Sequence, residues 1–309
     1  MILEPFFRFI DVSEKTESIY RRALRQLFTY FTEHGILKPS RDDIISFRRH
    51  LERKHLKPST IALYLAASRR FFAWTEHAGI YPNIALGVKA PKPEPGHKRD
   101  CLCAEQLRTI LAGIDRTTPI GRRNFAIIAL MSVTGLRTIE VSRANIGDFR
   151  KVGTHTCLFV RGKGRCTKSE FVKVPPPVSS AIGDYIRERG KVQESAPLFA
   201  SMSRRNTNAR LSAQTISKLC KSAMRANGFS SSRLTAHSLR HTAITLSLSA
   251  GIPLSEVQAF ARHKNITTTM IYAHHVDRLR SPCEEAVCAA VFQNFIREIT
   301  DSLAIFRCV

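Results

Sequence analysis

One short stretch decides how this chain can fold. LGVKAPKPEPGHKRD, residues 86–100, sets four prolines and glycines within PKPEPG among several cations. Proline fixes φ and removes a backbone donor, and the residue before each proline is pushed out of the helical region. Neither a helix nor a central strand survives there, so the stretch reads as an extended linker. It divides 309 residues into two parts, each long enough to bury a core. The expected division is a first domain over 1–87, a linker over 88–99 and a second domain over 100–309.

Ahead of the linker, hydrophobic spacing predicts a small helical bundle. SEKTESIYRRALRQLFTYFTEHG opens at Ser13 as N-cap, sets Ile19, Leu24, Leu27, Phe28 and Phe31 on one face, and stops at Gly35. SRDDIISFRRHLERKH takes Ser40 as its cap, with Asp42 and Asp43 in the first turn, where the helix dipole favours them. KPSTIALYLAASRRFFAWTEHAG supplies a third helix, begun by Pro58 and ended by Gly79. Beyond the linker, AEQLRTILAGI, GRRNFAIIALMSVTG, VSSAIGDYIRER, SAQTISKLCKSAMRANG, HSLRHTAITLSLSAG and LSEVQAFARH read as helices, the second apolar enough to be buried. THTCLFVRGKGRCTKSEFVKVPPP alternates at both ends around RGKGR and reads as a β-hairpin ended by Pro175 to Pro177. The fold class is mainly α with a small β-sheet. CEEAVCAAVFQNFIREITDSLAIF, residues 283–306, adds a last helix with a crowded apolar face.

The charge narrows the function. Lys and Arg number 48 against 25 Asp and Glu, a net +23. Both parts share the surplus: residues 1–99 carry 18 basic and 10 acidic side chains, the remainder 30 and 15. A polyanionic partner, nucleic acid foremost, is favoured because each neutralised phosphate releases counterions. A grip from both domains fits better than one basic tail on a neutral body. No apolar run reaches 18 residues, and the charged N-terminus does not read as a signal peptide, so no membrane partner is expected. The eight cysteines show neither CxxC pairs nor Cys/His metal spacing, as expected of reduced thiols in a cytoplasmic protein.

Tyr272 sits within ITTTMIYAHH, nine residues beyond His263. A lone tyrosine with apolar neighbours is ordinarily a packed aromatic. Its companions change that reading. TGLRTIEV places Arg137 at the end of a buried helix with Glu140 one turn later, HSLRHT sets His237 and Arg240 on one helical face, and RGKGR lifts Lys163 onto a hairpin tip. Each suits part of a phosphoryl transfer. An arginine fork grips two nonbridging oxygens, a tyrosine attacks phosphorus, a histidine takes the phenolic proton, and a cation protonates the leaving oxygen.

The order of these blocks resembles that of the tyrosine recombinases, the phage-integrase and Xer family, across nearly the whole chain. The resemblance implies a SAM-like core-binding bundle followed by a mixed α/β catalytic domain, closing on DNA as a C-shaped clamp. It implies that Tyr272 is the nucleophile and that Arg137 and Arg240 bind the scissile phosphate. His237 and His263 would assist, Lys163 would be the general acid, and Glu140 would brace the site. It further implies a 3′-phosphotyrosine intermediate with neither metal nor other cofactor, and a homotetramer on two duplexes carrying paired half-sites. The expected location is the cytoplasm, with the nucleoid. An accessory protein or second recombinase is a possible further partner. The 283–306 helix would dock on a neighbouring protomer, the alternative being a cap on its own domain.

Two points depart from the family pattern or stay open. Where the family places Leu-Gly before the last histidine, this chain has Ala261 and Arg262. Glycine would ease a tight turn there, and arginine offers a phosphate contact instead. Lys168 competes with Lys163 as the acid. Two other classes compete for the whole: a type IB topoisomerase-like enzyme with the same chemistry, and a catalytically silent DNA-binding protein.

Overall fold

The computed structural model describes residues 2–92, 100–161, 168–280 and 283–292, with the side chains of 274–280 excepted. The chain divides into two compact units, Met1–Gly96 and His97–Val309.

The first unit is four helices: α1 (Leu3–Ile10), α2 (Glu14–Glu33), α3 (Arg41–Arg53) and α4 (Pro58–His77). Caps place their ends where the sequence signals them. Ser13 accepts from the Thr16 amide, the Asp43 carboxylate accepts from the Ser40 amide at 2.7 Å, and Pro58 starts α4 where its missing N–H costs nothing. Leu24, Leu27 and Phe31 of α2 pack with Phe47 and Leu51 of α3 and with Phe71 and Trp74 of α4 in one core. The helix α1 is absent from the sequence reading, since eight residues give periodicity too little length to show. The Phe6 ring of α1 lies 5.4 Å from that of Phe71 and 5.7 Å from that of Trp74, and an ion pair from Glu4 to Arg21 ties α1 to α2.

The second unit is built around α6 (Pro119–Thr134), which packs on α5 (Ala104–Ala112), α8 (Pro176–Arg189), α9 (Ala213–Ala226) and α10 (Ala236–Ser249). The buried run Ala126–Ser132 explains why GRRNFAIIALMSVTG shows no polar face. Between α7 (Thr138–Arg143) and α8 lie a 3₁₀ turn, Ile146–Asp148, and three strands: β1 (Phe149–Val152), β2 (His155–Val160) and β3 (Glu170–Lys173). The sheet is antiparallel in the order β1-β2-β3, with Leu158 opposite both Phe149 and Val172. The expected hairpin is therefore β2–β3, extended by one strand. Its tip, residues 162–167 with Lys163, lies outside the described residues. Pro175 to Pro177 open α8 as well as ending β3, because proline is compatible with a first turn. Then follow α11 (Leu254–Ala261), α12 (Thr267–Arg280) and a helical stretch over 283–292. Residues 293–306 of the expected last helix lie outside the described residues.

Tyr185, the other tyrosine of this unit, is a core residue. It is fully buried, stacks on Phe199 with 5.7 Å between ring centroids, and its hydroxyl accepts the Ala200 amide at 3.0 Å. Tyr185→Phe keeps the ring and orphans that amide, so stability should fall by about 1–3 kcal/mol. An unchanged urea midpoint would show that the hydroxyl contributes nothing.

Candidate active site

Two chain reversals and the start of one helix bring the candidate residues together. At the first, α6 ends on Gly135, whose φ of +59° is a left-handed conformation that glycine adopts readily. A Cβ there would also press to 3.3 Å on the Phe260 ring of α11. Arg137 then becomes the N-cap of α7. Its amide donates to Glu140 Oε2 at 2.8 Å and its guanidinium to Oε1 at 3.0 Å. The Glu140 side chain has no exposure at all, whereas that of Arg137 keeps 28%. Arg137 is thus braced from behind and open in front.

The second contribution comes from α10. HSLRH at the start of that helix buries Arg240, at 1% exposure, and leaves His237 exposed. The Arg240 guanidinium donates to the carbonyls of Gly135 and Ala261, joining the α6 corner to the end of α11.

The third contribution, and the second reversal, is the α11–α12 turn. Arg262 closes α11 in the left-handed region, at φ +53° and ψ +45°. The backbone thus takes the shape that glycine would have eased, at a cost of about 1 kcal/mol for a residue with a Cβ. The side chain turns inward. Its guanidinium donates to Glu140 Oε2 at 3.0 Å and to the Phe260 carbonyl at 2.9 Å. His263 follows, with Nδ1 2.9 Å from the Thr269 hydroxyl, and Tyr272 lies one turn further along α12, buried to 6% exposure. The Tyr272 ring is 5.0 Å from that of His241 and 6.3 Å from that of His263, and His241 meets His237 edge-on at 4.7 Å.

Arg137, Glu140, His237, Arg240, His263 and Tyr272 therefore converge, while Lys163 lies outside the described residues. Lys168, its competitor, is ion-paired with Asp148. Sequence reasoning missed three members of the site. His241 was signalled, standing one turn after His237 in HSLRH. Thr269 and the Glu140 partnership of Arg262 carry no sequence signal, since the latter joins residues 122 apart. Among the described residues no cluster of His, Cys, Asp or Glu has the makings of a metal site, and no helix is long and apolar enough to cross a membrane.

Three guanidiniums face one carboxylate, and the local pKa values follow from that. Burial pushes the Glu140 carboxyl up, but Arg262, then the Arg137 amide and guanidinium, hold it below the usual range. Burial and the neighbouring Arg137 and Arg262 lower the Arg240 guanidinium to about 9, which leaves it charged at neutral pH. Burial, with Arg240, Arg137 and Arg262, lowers the His263 imidazole to about 4. Burial raises the Tyr272 phenol to about 12, against the pull of Arg240 and Arg137. At neutral pH the site thus presents a protonated phenol, a neutral imidazole and an excess of positive charge. That combination suits a tetrahedral anion flanked by a hydroxyl nucleophile.

The chain matches the phage integrase family over residues 101–278 and the N-terminal SAM-like domain of phage integrases over residues 5–79. Among curated proteins it is 26% identical to tyrosine recombinase XerD of Listeria innocua, over 90% of this chain and 95% of the relative. It is 28% identical to tyrosine recombinase XerA of Pyrococcus furiosus, over 88% of each. Solved structures with the same fold include the XerH site-specific recombinase bound to palindromic difH substrate, with TM-score 0.69, 19% identity and coverage of 88% of this chain and 79% of that one. A lambda integrase dimer bound to a COC′ core site gives TM-score 0.66 at 18% identity, over 86% of this chain and 94% of that one. Site, fold and relatives agree, and the chain belongs to the phage integrase family of tyrosine recombinases.

Proposed function

We propose that this chain cuts and rejoins double-stranded DNA at specific sites through a 3′-phosphotyrosine on Tyr272. What supports this reading above all is the placement of Tyr272 beside Arg240 and Arg137, with Glu140 bracing the latter. Arg137 and Arg240 grip the nonbridging oxygens of the scissile phosphate and offset the charge that grows there during attack. Tyr272 Oη attacks phosphorus while its proton passes to a neighbouring imidazole, that of His263, which is neutral and stacks on the Tyr272 ring. The P–O5′ bond breaks, and Lys163 protonates the leaving oxygen. Lys168 is already engaged by Asp148, which favours Lys163 for that role. His237, exposed at the rim, bonds the phosphate. Attack of a 5′-hydroxyl from the partner duplex then releases the tyrosine. One phosphodiester replaces another, so the exchange calls for no external energy source.

A phosphate entering the pocket changes its proton affinities. The anion offsets Arg240, Arg137 and Arg262, the cations that depress His263, and so raises its pKa from about 4. The imidazole becomes a better base when the substrate is in place.

Residues 1–87 act as the core-binding domain and 100–309 as the catalytic domain, joined by 88–99, and both add to the positive field that holds DNA. Four protomers act on two duplexes. The described part of the last helix supports an exchange between them: residues 283–292 are exposed throughout, and Val287, Val291 and Phe292 form an apolar stripe at 62%, 65% and 48% exposure. Such an exposed stripe fits a cyclic contact with the next protomer. The protein works in the cytoplasm, where its DNA is.

Three outcomes follow. Tyr272→Phe should bind its duplex site with near-unchanged affinity and form no covalent adduct, as read by denaturing electrophoresis. Adduct from this variant would move the nucleophile elsewhere. In NMR titrations His263 should take its proton near pH 4 in the free protein and at clearly higher pH with a duplex site bound. An unchanged value would remove the phosphate from the neighbourhood of His263. A substrate with a bridging 5′-thiolate, which leaves without protonation, should restore cleavage to Lys163→Ala but not to Arg240→Ala. Rescue of Lys168→Ala in its place would reassign the acid.

A further inference from the structure

Arg262 stands where the backbone asks for glycine. Its left-handed conformation is one that a side chain with a Cβ rarely adopts, yet the chain holds an arginine there. An arginine in a turn usually extends into solvent. This one keeps 8% side-chain exposure and reaches across the site to a carboxylate with none. We propose that Arg262 is a positioning residue: through Glu140 it locks the turn that carries His263 to the corner that carries Arg137. The inference rests on the proposed reaction, and it adds a member that the motif pattern does not contain.

The hydrogen bonds give the lock its form. Glu140 Oε1 serves the Arg137 guanidinium, and Oε2 is divided between the Arg137 amide and Arg262. The guanidinium of Arg262 also takes the Phe260 carbonyl, so the end of α11 is tied down by its own last cation. Arg240 fixes the neighbouring Ala261 carbonyl and the Gly135 carbonyl. Two guanidiniums thus span the same gap, one through backbone and one through Glu140. Without Arg262 the Glu140 carboxylate keeps only one of its two direct ion pairs, in a setting where an underpaired charge is strongly unfavourable. The carboxylate then follows Arg137, and the His263 turn is free to shift against it. Displacement of reacting groups on the scale of an ångström is enough to slow a reaction severely.

The charges around Glu140 make the lock measurable. Arg137 faces it from the start of its own helix, Arg262 from the end of α11, and Arg240 acts on it from α10. Among the described residues, the α9 and β2 side chains buried beside α7 are apolar or thiols. Arg123, buried on α6, is turned to the Ala200 carbonyl and Asn124. Loss of the Arg262 guanidinium therefore raises the pH at which Glu140 takes up a proton.

The test compares Arg262→Lys, Arg262→Met and Arg262→Gly in the full chain. The lysine and methionine variants meet the same backbone demand and differ in charge, while glycine relieves the strain and removes the side chain. Covalent adduct is followed in single turnover on a nicked duplex carrying a site that the unaltered chain selects from a random library. The methionine and glycine variants should lose between about tenfold and a hundredfold in rate, with duplex affinity nearly unchanged and lysine recovering much of the loss. In isotope-edited infrared spectra, Glu140 should protonate at higher pH in Arg262→Met than in Arg262→Lys. Equal rates for lysine and methionine, an unaltered rate for glycine, or an affinity loss matching the rate loss would each overturn the proposal. Absence of adduct from the unaltered chain would overturn the reaction, and the Glu140 titration would then still decide whether Arg262 holds it.

Discussion

The catalytic unit depends on one buried carboxylate. Glu140 lies where an isolated ionised group would be prohibitively unfavourable, and it is tolerated because Arg137 and Arg262 both bond it. These pairings do more than offset desolvation. They tie the α6–α7 corner to the α11–α12 turn, so that the Arg137 guanidinium and the His263 imidazole, on the proposed reading a phosphate-binding cation and a proton acceptor, keep their spacing. Arg240 completes the frame through hydrogen bonds to carbonyls, with no ion-pair partner among the described residues. Three guanidiniums against one carboxylate leave the pocket short of negative charge, which on the proposed reading a phosphate supplies.

The same frame explains which residues were legible in the sequence. Glu140 follows Arg137 by three residues, and Arg240 follows His237 by three, so local helical spacing alone predicts that each pair shares a face. The order of the blocks added His263 and Tyr272 to that expectation. Ser13, Ser40, Pro58, Gly35 and Gly79 announced the ends of the first unit's helices because capping and left-handed turns are local chemistry.

What stayed hidden is non-local. The helix α1 owes its existence to Phe6 meeting Phe71 and Trp74, more than sixty residues away. Strand β1 has only four residues, FRKV, and pairs with β2 in a register no short alternation announces. Arg262 read only as a departure from the glycine pattern, with a phosphate contact on offer, because only the folded chain shows Glu140 within its reach. His241 is a different case. It was written at helical spacing from His237, but its place against Tyr272 depends on how α12 packs on α10.

Burial sets the resting state of the site as much as its geometry does. The environment that keeps Tyr272 protonated up to about pH 12 also keeps His263 neutral down to about 4, so neither group has reason to exchange a proton while the pocket is empty. Both shifts come from desolvation, and for His263 the surplus of guanidinium charge adds to it. On the proposed reading, an arriving phosphate cancels part of that surplus and makes the imidazole more basic. It also places the developing negative charge among cations already fixed in position, which is where preorganised electrostatics act most strongly. On that reading the pocket gains its reactivity from the anion it receives, and Tyr272, buried and protonated, stays inert until then.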